Sequence, residues 1–508
     1  MSSRRSHRPG GRPPVTETAE RGTPRKARQP RPADPRRTAY DVLAAVRDRE
    51  AYANLLLPRL LAGRQLTGRD AALATELAYG TLRGQGTYDA VLATCSDRPL
   101  EKLDPPVLDV LRLGTHQLLS TRVGAHAAVA TSVDLARSVA GPRVSGYVNA
   151  VLRRVATRDL DAWLDIVAPG AEADPDGNLA ARYSHPRWII AAYRAALGDT
   201  ASRPFSTSDV ADAEPAVTEL EAALAAGNTR PRVTLAAFPA GPPREDIMPA
   251  DAVPGRWSPY AFTLAAGDPA PLIESGAAVQ DEGSQLAALA LSNAPVTSRP
   301  GESEAAGERW LDMCAGPGGK ARLLYGLAAQ RGARLTAAEL HPHRAALVRE
   351  ALTTAGRIIA GEPPAFEVLV ADAAMPPWPA GVFDRVLLDV PCSGLGALRR
   401  RPEARWRKAE SDLAELTALQ RALLGSALAA VRPGGVVAYV TCSPVPAETS
   451  AVVTEVTASR PGTEVLDAPA LFPDVPALRA ADPLFAQLWP HRHGTDAIFI
   501  ALLRRARA

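Results

Sequence analysis

Cysteine is scarce in this chain, and its spacing excludes two common uses of the residue. The 508 residues contain four cysteines, Cys95, Cys314, Cys392 and Cys442, and no two of them form a Cys-x-x-Cys pair. This pattern argues against a disulfide framework and against a structural zinc site. The pairs His341-Pro-His343 and His491-Arg-His493 lack further ligands nearby, so we expect no bound metal.

Long apolar stretches are missing as well. No run of about 18 apolar residues occurs, and the N-terminus lacks the apolar segment of a secretory signal. We therefore expect a cytoplasmic protein that has no membrane partner. A chain of 508 residues has length for roughly three or four domains, and we expect a monomer.

The net charge of +3 conceals a basic N-terminal tail. Residues 1–37 carry 11 Arg and Lys against three acids, whereas the rest of the chain is net acidic. We expect residues 1–36 to be disordered, because their Pro, Arg and Gly content leaves too little apolar surface to fold. The tail is equally compatible with an electrostatic arm for RNA phosphates and with a solubilising extension that has no specific partner.

Hydrophobic periodicity divides the remaining chain into three regions. Residues 37–160 show helical spacing throughout and predict an all-α bundle. Residues 161–290 predict a small α+β connector, with linkers over 160–185 and 196–216. Residues 291–508 alternate strand and helix signals, which predicts an α/β Rossmann-like domain with a parallel sheet covered by helices.

Lysine is also rare, and one lysine ends a glycine-rich loop. Only four of the 58 basic residues are lysine, and Lys320 closes the loop that begins at Cys314. Because a compact ammonium differs from a guanidinium fork in a tight site, Lys320 is a candidate functional residue. Chance placement at a helix start is the alternative.

The predicted strands of the third region end in residues that suit a nucleotide-like cofactor. In an open parallel sheet, ligands bind beyond the carboxyl ends of the strands. The glycine loop lets backbone approach a ligand closely, Glu339 can accept ribose hydroxyls, and Asp372 can meet an adenine amine. The predicted cofactor-binding residues are Cys314, Ala315, Gly316, Pro317, Gly318, Gly319, Lys320, Glu339, Asp372 and Asp389.

Two thiols follow apolar runs of the same region. Cys392 stands in Asp389-Val-Pro-Cys-Ser-Gly394, and Cys442 stands in Tyr439-Val-Thr-Cys-Ser443. A carboxylate and two thiols beside a cofactor crevice indicate methyl transfer to a carbon that must first be made nucleophilic. The residues alone do not say which thiol attacks.

Three motifs in this order closely resemble the RsmB/Nop/Sun family of S-adenosylmethionine-dependent RNA cytosine-C5 methyltransferases. They are Asp312-Met-Cys-Ala-Gly-Pro-Gly-Gly-Lys320, Asp389-Val-Pro-Cys-Ser-Gly-Leu-Gly396 and Thr441-Cys-Ser443. The stretches 69–83, 111–119 and 148–154 resemble the NusB-like RNA-binding domain, which points to the RsmB subgroup acting on 16S small-subunit ribosomal RNA. The chain departs from the family pattern at Gly316, where alanine is usual, at Glu339, where aspartate is common, and at Ala497, where glycine is usual.

The resemblance implies S-adenosyl-L-methionine as cofactor and a role for each of four side chains. Cys442 would be the nucleophile, Cys392 would assist product release, Asp389 would contact the base, and Lys320 would assist at the same ring. DNA cytosine methyltransferases attack with the Pro-Cys cysteine, so the swapped assignment of the thiols is the competing one. Cys314 would line the cofactor turn, and Cys95 reads as a core residue.

RNA is the expected partner, because a target cytosine must leave its stack to reach such a crevice. We expect the cluster Arg399-Arg-Arg401 with Arg405, Trp406, Arg407 and Lys408 to grip phosphates and stack on a base, the alternative being a solvated helix entry. The competing function is a NusB-like RNA-binding or antitermination protein with a catalytically silent methyltransferase fold. A transfer-RNA substrate is a further alternative.

Overall fold

The computed structural model describes residues 34–205, 217–265, 267–297, 307–359 and 363–507. The predicted basic tail lies outside these ranges up to residue 33. Helix α1 begins at Pro35, within the predicted tail, and the Asp34 side chain caps it by accepting a hydrogen bond from the Arg36 backbone N–H. Among the described residues, no helix is long and apolar enough to cross a bilayer.

The N-terminal domain is a helical bundle, as predicted. Its helices are α1 (Pro35–Arg49), α2 (Ala53–Gly63), α3 (Gly68–Cys95), α4 (Pro105–Ser120), α5 (Ala125–Ala140), α6 (Ser145–Val155) and α7 (Leu160–Val167). Their apolar faces share one core, and Cys95 is buried in it, which confirms the prediction for this thiol.

The prediction of a linker over 160–185 is wrong, because this stretch forms α7 and α8 (Pro175–Tyr183). Asp159 and Asp174 cap the two helices by accepting hydrogen bonds from backbone N–H groups of their first turns. Pro175 occupies the first turn of α8, where proline costs no hydrogen bond. The acidic and proline content that resembled a linker thus serves to start helices.

The connector is an α+β unit, as predicted. Its elements are α9 (Arg187–Leu197), β1 (Pro204–Phe205), β2 (Val217–Thr218), α10 (Glu219–Asn228), β3 (Thr234–Ala236), α11 (Arg244–Ile247), β4 (Val253–Pro254), β5 (Ala261–Thr263), α12 (Ala270–Glu274) and β6 (Ala278–Val279). Strands β4, β5, β3 and β6 form an antiparallel sheet in that order. Most of the second predicted linker, residues 206–216, lies outside the described residues.

The C-terminal domain has a central sheet with helices on both faces. Its elements are α13 (Glu282–Asn293), β7 (Arg309–Asp312), α14 (Gly319–Gln330), β8 (Arg334–Glu339), α15 (Pro342–Gly356), β9 (Phe366–Val370), β10 (Phe383–Asp389), α16 (Ala404–Arg407), α17 (Asp412–Ala430), β11 (Val431–Thr441), α18 (Ser450–Ala458), β12 (Thr463–Leu466), β13 (Ala486–Gln487), α19 (Pro490–His493) and β14 (Phe499–Arg505). The strand order is β12-β14-β11-β10-β7-β8-β9, with β13 pairing β14.

The sheet is parallel from β9 to β11 and antiparallel beyond, so the prediction of a parallel sheet holds only for the part that carries the motifs. Strand β14 runs antiparallel to β11 and to β12. Periodicity gives the positions of strands but not their direction, which explains the difference. The predicted boundary at residue 291 also falls inside α13, whose buried residues pack in one core with Trp310 of β7 and Val436 of β11.

Residues 398–408, which follow the Cys392 loop, join the three regions of the protein. The Arg405 side chain is fully buried and donates hydrogen bonds to Ser184 O at 3.0 Å and to Asn228 Oδ1 at 2.7 Å, both in the connector. It also reaches the Arg83 carbonyl in the helical domain at 3.4 Å. The neighbouring Trp406 and Arg407 donate to carbonyls of the helical domain.

The predicted role of these side chains in gripping RNA is therefore wrong for Arg405, Trp406 and Arg407. The terminal nitrogens of Arg405, the indole N–H of Trp406 and one terminal nitrogen of Arg407 already donate to protein carbonyls and to the Asn228 side chain. Burial also lowers the pKa of Arg405 to about 9. The segment therefore fixes the C-terminal domain to both the connector and the helical domain.

Arg405→Ala should lower the free energy of unfolding by about 2–4 kcal/mol, because it removes a buried guanidinium that hydrogen-bonds across both interfaces. Urea denaturation measures this. Arg401→Ala is the control, because Arg401 belongs to the same segment but is exposed. Equal stability of the two variants would contradict the assigned role of Arg405.

Candidate active site

The carboxyl ends of the parallel strands bring the predicted site residues to one edge of the sheet. Strand β10 pairs with β7 on one side and with β11 on the other. Asp312 therefore ends β7 beside β10, and Asp389 ends β10 opposite Val440, two residues before Cys442. The glycine loop leaves β7 at the same edge, so the motifs converge as expected.

The glycine loop turns tightly before α14 begins at Gly319. Gly318 has φ 109°, a conformation that side-chain-bearing residues rarely adopt. The Ala315 N–H donates to Ala338 O of β8 at 2.9 Å, which fixes the loop to the sheet. The loop backbone and the first turn of α14, a 12-residue helix, thus lie at the edge of the sheet where the strands end.

Glu339 is buried and is tied to the glycine loop. Its Oε2 accepts the Gly316 N–H at 3.2 Å, and its Oε1 accepts the His341 N–H at 3.0 Å. Arg344 closes the arrangement by donating to Gly316 O at 2.6 Å. Asp372 lies after β9 and accepts the Ala374 N–H at 2.9 Å. Both acids keep lone pairs for a ligand.

The sulfur atoms of Cys392 and Cys442 lie 3.3 Å apart. Both cysteines are unbonded thiols, and their side chains are largely buried. The hydrogen bond from Cys392 lowers the pKa of Cys442, with further help from the nearby cations Lys320 and Arg401. The same contact, together with burial, raises the pKa of Cys392 well above its ordinary value. The pair is therefore asymmetric, with the negative charge favoured on Cys442.

Lys320 and Asp389 form an ion pair beside the thiols, with Nζ and Oδ2 2.7 Å apart. Burial opposes the charge of the ammonium, but the Asp389 carboxylate outweighs this and raises the pKa of Lys320. Lys320 is thus a permanent cation at physiological pH, and it holds one oxygen of Asp389 in place. Cys314, at the start of the glycine loop, is half-buried, and burial raises the pKa of its thiol.

Asp312 belongs to the first motif, but the sequence analysis predicts no role for it. Its side chain is 0% exposed, and neither carboxylate oxygen has a hydrogen-bond partner among the described residues. Burial, reinforced by the charge of Asp389, raises the pKa of Asp312 to about 7. A strand-end acid before a glycine loop is the sequence signal that could have identified it.

The sequence analysis also expects the arginines at positions 399–401 to grip phosphates, and their surroundings differ from one another. Arg399 bridges Asp281 and Asp496, with Nη2 2.6 Å from Asp281 Oδ2 and Nε 2.9 Å from Asp496 Oδ1. Arg400 is bound to Asp496 as well. Arg401 remains exposed, 5.2 Å from the centroid of the Tyr52 ring, and its charge acts on Cys442.

The histidine pairs have structural surroundings. His491 lies 3.2 Å from Glu219, and His493 accepts the Trp489 N–H at 2.8 Å. His341 and His343 stack on each other at the start of α15. Across the ranges that the structure describes, no group of three or more His, Cys, Asp or Glu could hold a metal ion.

A strand-end glycine loop with acids on the next two strands is the arrangement expected of an S-adenosylmethionine-dependent methyltransferase, and the comparisons with known proteins show that class. The chain belongs to the RsmB/F family: residues 303–504 match the family model described as "16S rRNA methyltransferase RsmB/F". Residues 33–157 match the NusB family model. The predicted resemblance is confirmed.

Relatives match along nearly the whole chain. A protein of Mycobacterium tuberculosis described as "Putative methyltransferase Rv1407" is 49% identical over 480 residues, covering 94% of this chain and 97% of that protein. The ribosomal RNA small subunit methyltransferase B of Pseudomonas syringae is 31% identical over 487 residues, covering 94% and 98%. The crystal structure of PH0851 shares the fold, with a TM-score of 0.72 at 22% identity over 93% of this chain and 99% of that one.

The residues present fit the cofactor. The buried carboxylate oxygens of Asp312 have no hydrogen-bond partner among the described residues, so they can accept from a polar ligand. At Gly316, a Cβ would lie 2.1 Å from Glu339 Oε2, so only a residue without a side chain fits there. We propose that Glu339 would hold the ribose hydroxyls, Asp372 the adenine amine, and the loop amides the carboxylate. When bound, S-adenosylmethionine supplies an electrophilic methyl group.

Gly316→Ala should weaken S-adenosylmethionine binding about tenfold or more, because the new Cβ would displace the Glu339 carboxylate from its hydrogen bonds. Aspartate is one methylene shorter, so the double variant Gly316→Ala/Glu339→Asp should recover most of the affinity. Calorimetric titration of the wild type, both single variants and the double variant completes a double-mutant cycle. Additive losses would show that the two positions are independent.

Proposed function

We propose that this protein methylates carbon 5 of a cytosine in RNA, with 16S small-subunit ribosomal RNA as substrate. The observation that carries the proposal is the pair of thiols 3.3 Å apart beside the Lys320–Asp389 ion pair. The names of relatives, such as the ribosomal RNA small subunit methyltransferase B of Pseudomonas syringae, support the substrate.

Carbon 5 of cytosine is too weak a nucleophile to take up a methyl group unaided. Addition of a thiolate to carbon 6 forms a sulfur–carbon bond and makes carbon 5 enamine-like and nucleophilic. Methylation at carbon 5 leaves a proton there, and a base must remove it before the sulfur–carbon bond can break. The reaction therefore needs one group that attacks and one that assists release.

Cys442 is the attacking group in this proposal. The asymmetry of the pair supports it, because the hydrogen bond from Cys392 lowers the pKa of Cys442 and so favours its thiolate. The swapped assignment would require attack by the thiol whose pKa the same contact raises. This asymmetry supports the order that the family resemblance implies.

Cys392 suits the release step once Cys442 is bonded to the base. Its pKa is raised chiefly by the hydrogen bond to Cys442, and that influence disappears when the Cys442 sulfur is engaged with carbon 6. Cys392 can then lose its proton to water and, as a thiolate, accept the carbon 5 proton, directly or through water. Elimination returns the electron pair to the Cys442 sulfur.

Asp389 would bind the N3/N4 edge of the cytosine. Lys320 occupies one of its oxygens, and the side chain is partly exposed, so the carboxylate can accept from the exocyclic amine. Hydrogen bonding along this edge would hold the base in place and stabilise the adduct. Lys320 would orient Asp389 and line the same ring.

A single-stranded or loop segment of RNA is the proposed form of the substrate, since the cytosine must leave its stack. Arg401, exposed and close enough to influence Cys442, offers a cation for the adjoining phosphates. The intact set of Asp389, Cys392 and Cys442 speaks against a catalytically silent fold, and a transfer-RNA substrate stays the weaker alternative. The basic tail, as an RNA arm, lies outside the described residues.

Cys442→Ala should abolish both methylation and covalent capture, because it removes the thiol that adds to carbon 6 in the proposed reaction. Cys392→Ala should still attack and methylate but release slowly, leaving a protein–RNA conjugate that survives denaturing electrophoresis. Methyl-tritiated S-adenosylmethionine and transcribed 16S ribosomal RNA provide the readout. Cys95→Ala, a core thiol of the helical domain, is the control. A conjugate that accumulates with Cys442→Ala instead would establish the swapped assignment.

A further inference from the structure

One buried carboxylate joins the two loops that carry the thiols. Glu448 is 0% exposed, and its Oε1 accepts the backbone N–H of Ser393 at 2.7 Å. Its Oε2 accepts the hydroxyls of both Ser393 and Ser443, the latter at 2.6 Å. Ser393 directly follows Cys392, and Ser443 directly follows Cys442, so one side chain bridges both loops.

Glu448 is itself held by regular elements rather than by loops. Gln420 of α17 donates to Glu448 Oε1 at 3.2 Å and to the Pro391 carbonyl at 2.9 Å. Tyr439 of β11 donates from its hydroxyl to the Glu448 backbone carbonyl at 2.7 Å. The position of the carboxylate is therefore set by a helix and a central strand.

Such a group is costly to bury, which argues for a purpose beyond filling space. The hydrogen bonds to the Glu448 carboxylate come from hydroxyls, an amide N–H and a side-chain amide, and no ion pair with Lys or Arg exists for it among the described residues. Burying a carboxylate without a cation costs on the order of several kcal/mol. Hydrogen bonds offset only part of that cost. A buried apolar side chain would avoid this cost but could not connect the loops.

We propose that Glu448 is a positioning residue that holds the Cys392 and Cys442 loops at the spacing on which the two-thiol reaction depends. The inference rests on the proposed function and deepens it, because Glu448 acts through Ser393 and Ser443 rather than on the reacting atoms. Its charge has a second effect: after the contact with Cys442 and burial, Glu448 adds to the causes that raise the pKa of Cys392. The charge of Glu448 thus favours the protonated form of Cys392 while the Cys442 sulfur is free.

Glu448→Gln tests the proposal with a side chain of nearly the same shape. The amide has one acceptor oxygen in place of two and no charge, so the loops lose part of their bridge. We expect kcat to fall about ten- to a hundredfold, because small misplacements of reacting groups have effects of this size. The affinity for S-adenosylmethionine, measured by calorimetry, should stay at the wild-type value.

The second readout is the pH dependence of Cys442 alkylation by iodoacetamide, followed by mass spectrometry of the Cys442 peptide. Separation of the thiols removes the hydrogen bond that favours the Cys442 thiolate, so the profile of Glu448→Gln should move to higher pH. A merely structural acid would not shift this profile. The readout needs no RNA, so it still decides the role of Glu448 if the wild-type protein proves to methylate no cytosine, which would refute only the proposed function.

Asp384→Asn is the matched control. Asp384 is also a buried carboxylate, bound to Arg432 and to the Arg309 N–H, and it lies at the opposite end of β10 from the thiols. Its variant should lower stability while the alkylation profile stays at the wild-type position.

If a folded Glu448→Gln protein keeps either the wild-type kcat or the wild-type alkylation profile, the proposal is overturned. If that variant does not fold, Ser393→Ala and Ser443→Ala decide by the same two readouts, because each removes one hydroxyl contact to Glu448. A wild-type alkylation profile in both serine variants would likewise overturn it.

Discussion

The contact between the sulfur atoms of Cys392 and Cys442 is the feature on which the proposed chemistry depends. Pairing of β10 with β11 brings the two loops to one edge of the sheet, but strand register alone does not fix the distance between their tips. Glu448 bridges the loops from beneath, and apolar residues of α9 and α10 pack against Leu395 and Leu398 from the side. Sheet, connector and buried acid together define the spacing of the thiols.

The Cys392 loop also leads directly into the segment that joins the domains. Tyr193 of the connector donates to Leu395 O at 2.7 Å, and Arg405, ten residues further on, reaches the connector and the helical domain. The helical domain is therefore fixed relative to the thiols by hydrogen bonds to backbone. RNA held by that domain would meet the crevice at a defined distance, which is a physical reason for the two domains to share one chain.

The sequence allowed the strand ends, the glycine loop and both thiols to be predicted, because each follows an apolar run and parallel strands end at one edge. The sequence did not distinguish Arg405 from arginines that bind phosphates, because the carbonyls that accept its hydrogen bonds belong to two other regions of the chain. Residues 160–185 resembled a linker because their Asp and Pro residues cap helices. Glu448 gives no local signal, as its partners are two serines brought close only by the fold.

Bisulfite sequencing of total RNA tests the central claim most directly, because conversion reports methylation at carbon 5 of each cytosine. Cells that lack this gene would be compared with cells that carry the wild-type gene or the Cys442→Ala variant. If the proposed function holds, one cytosine of 16S ribosomal RNA will be protected with the wild-type gene and converted in the other two strains. Identical conversion of every cytosine in all three strains would contradict it.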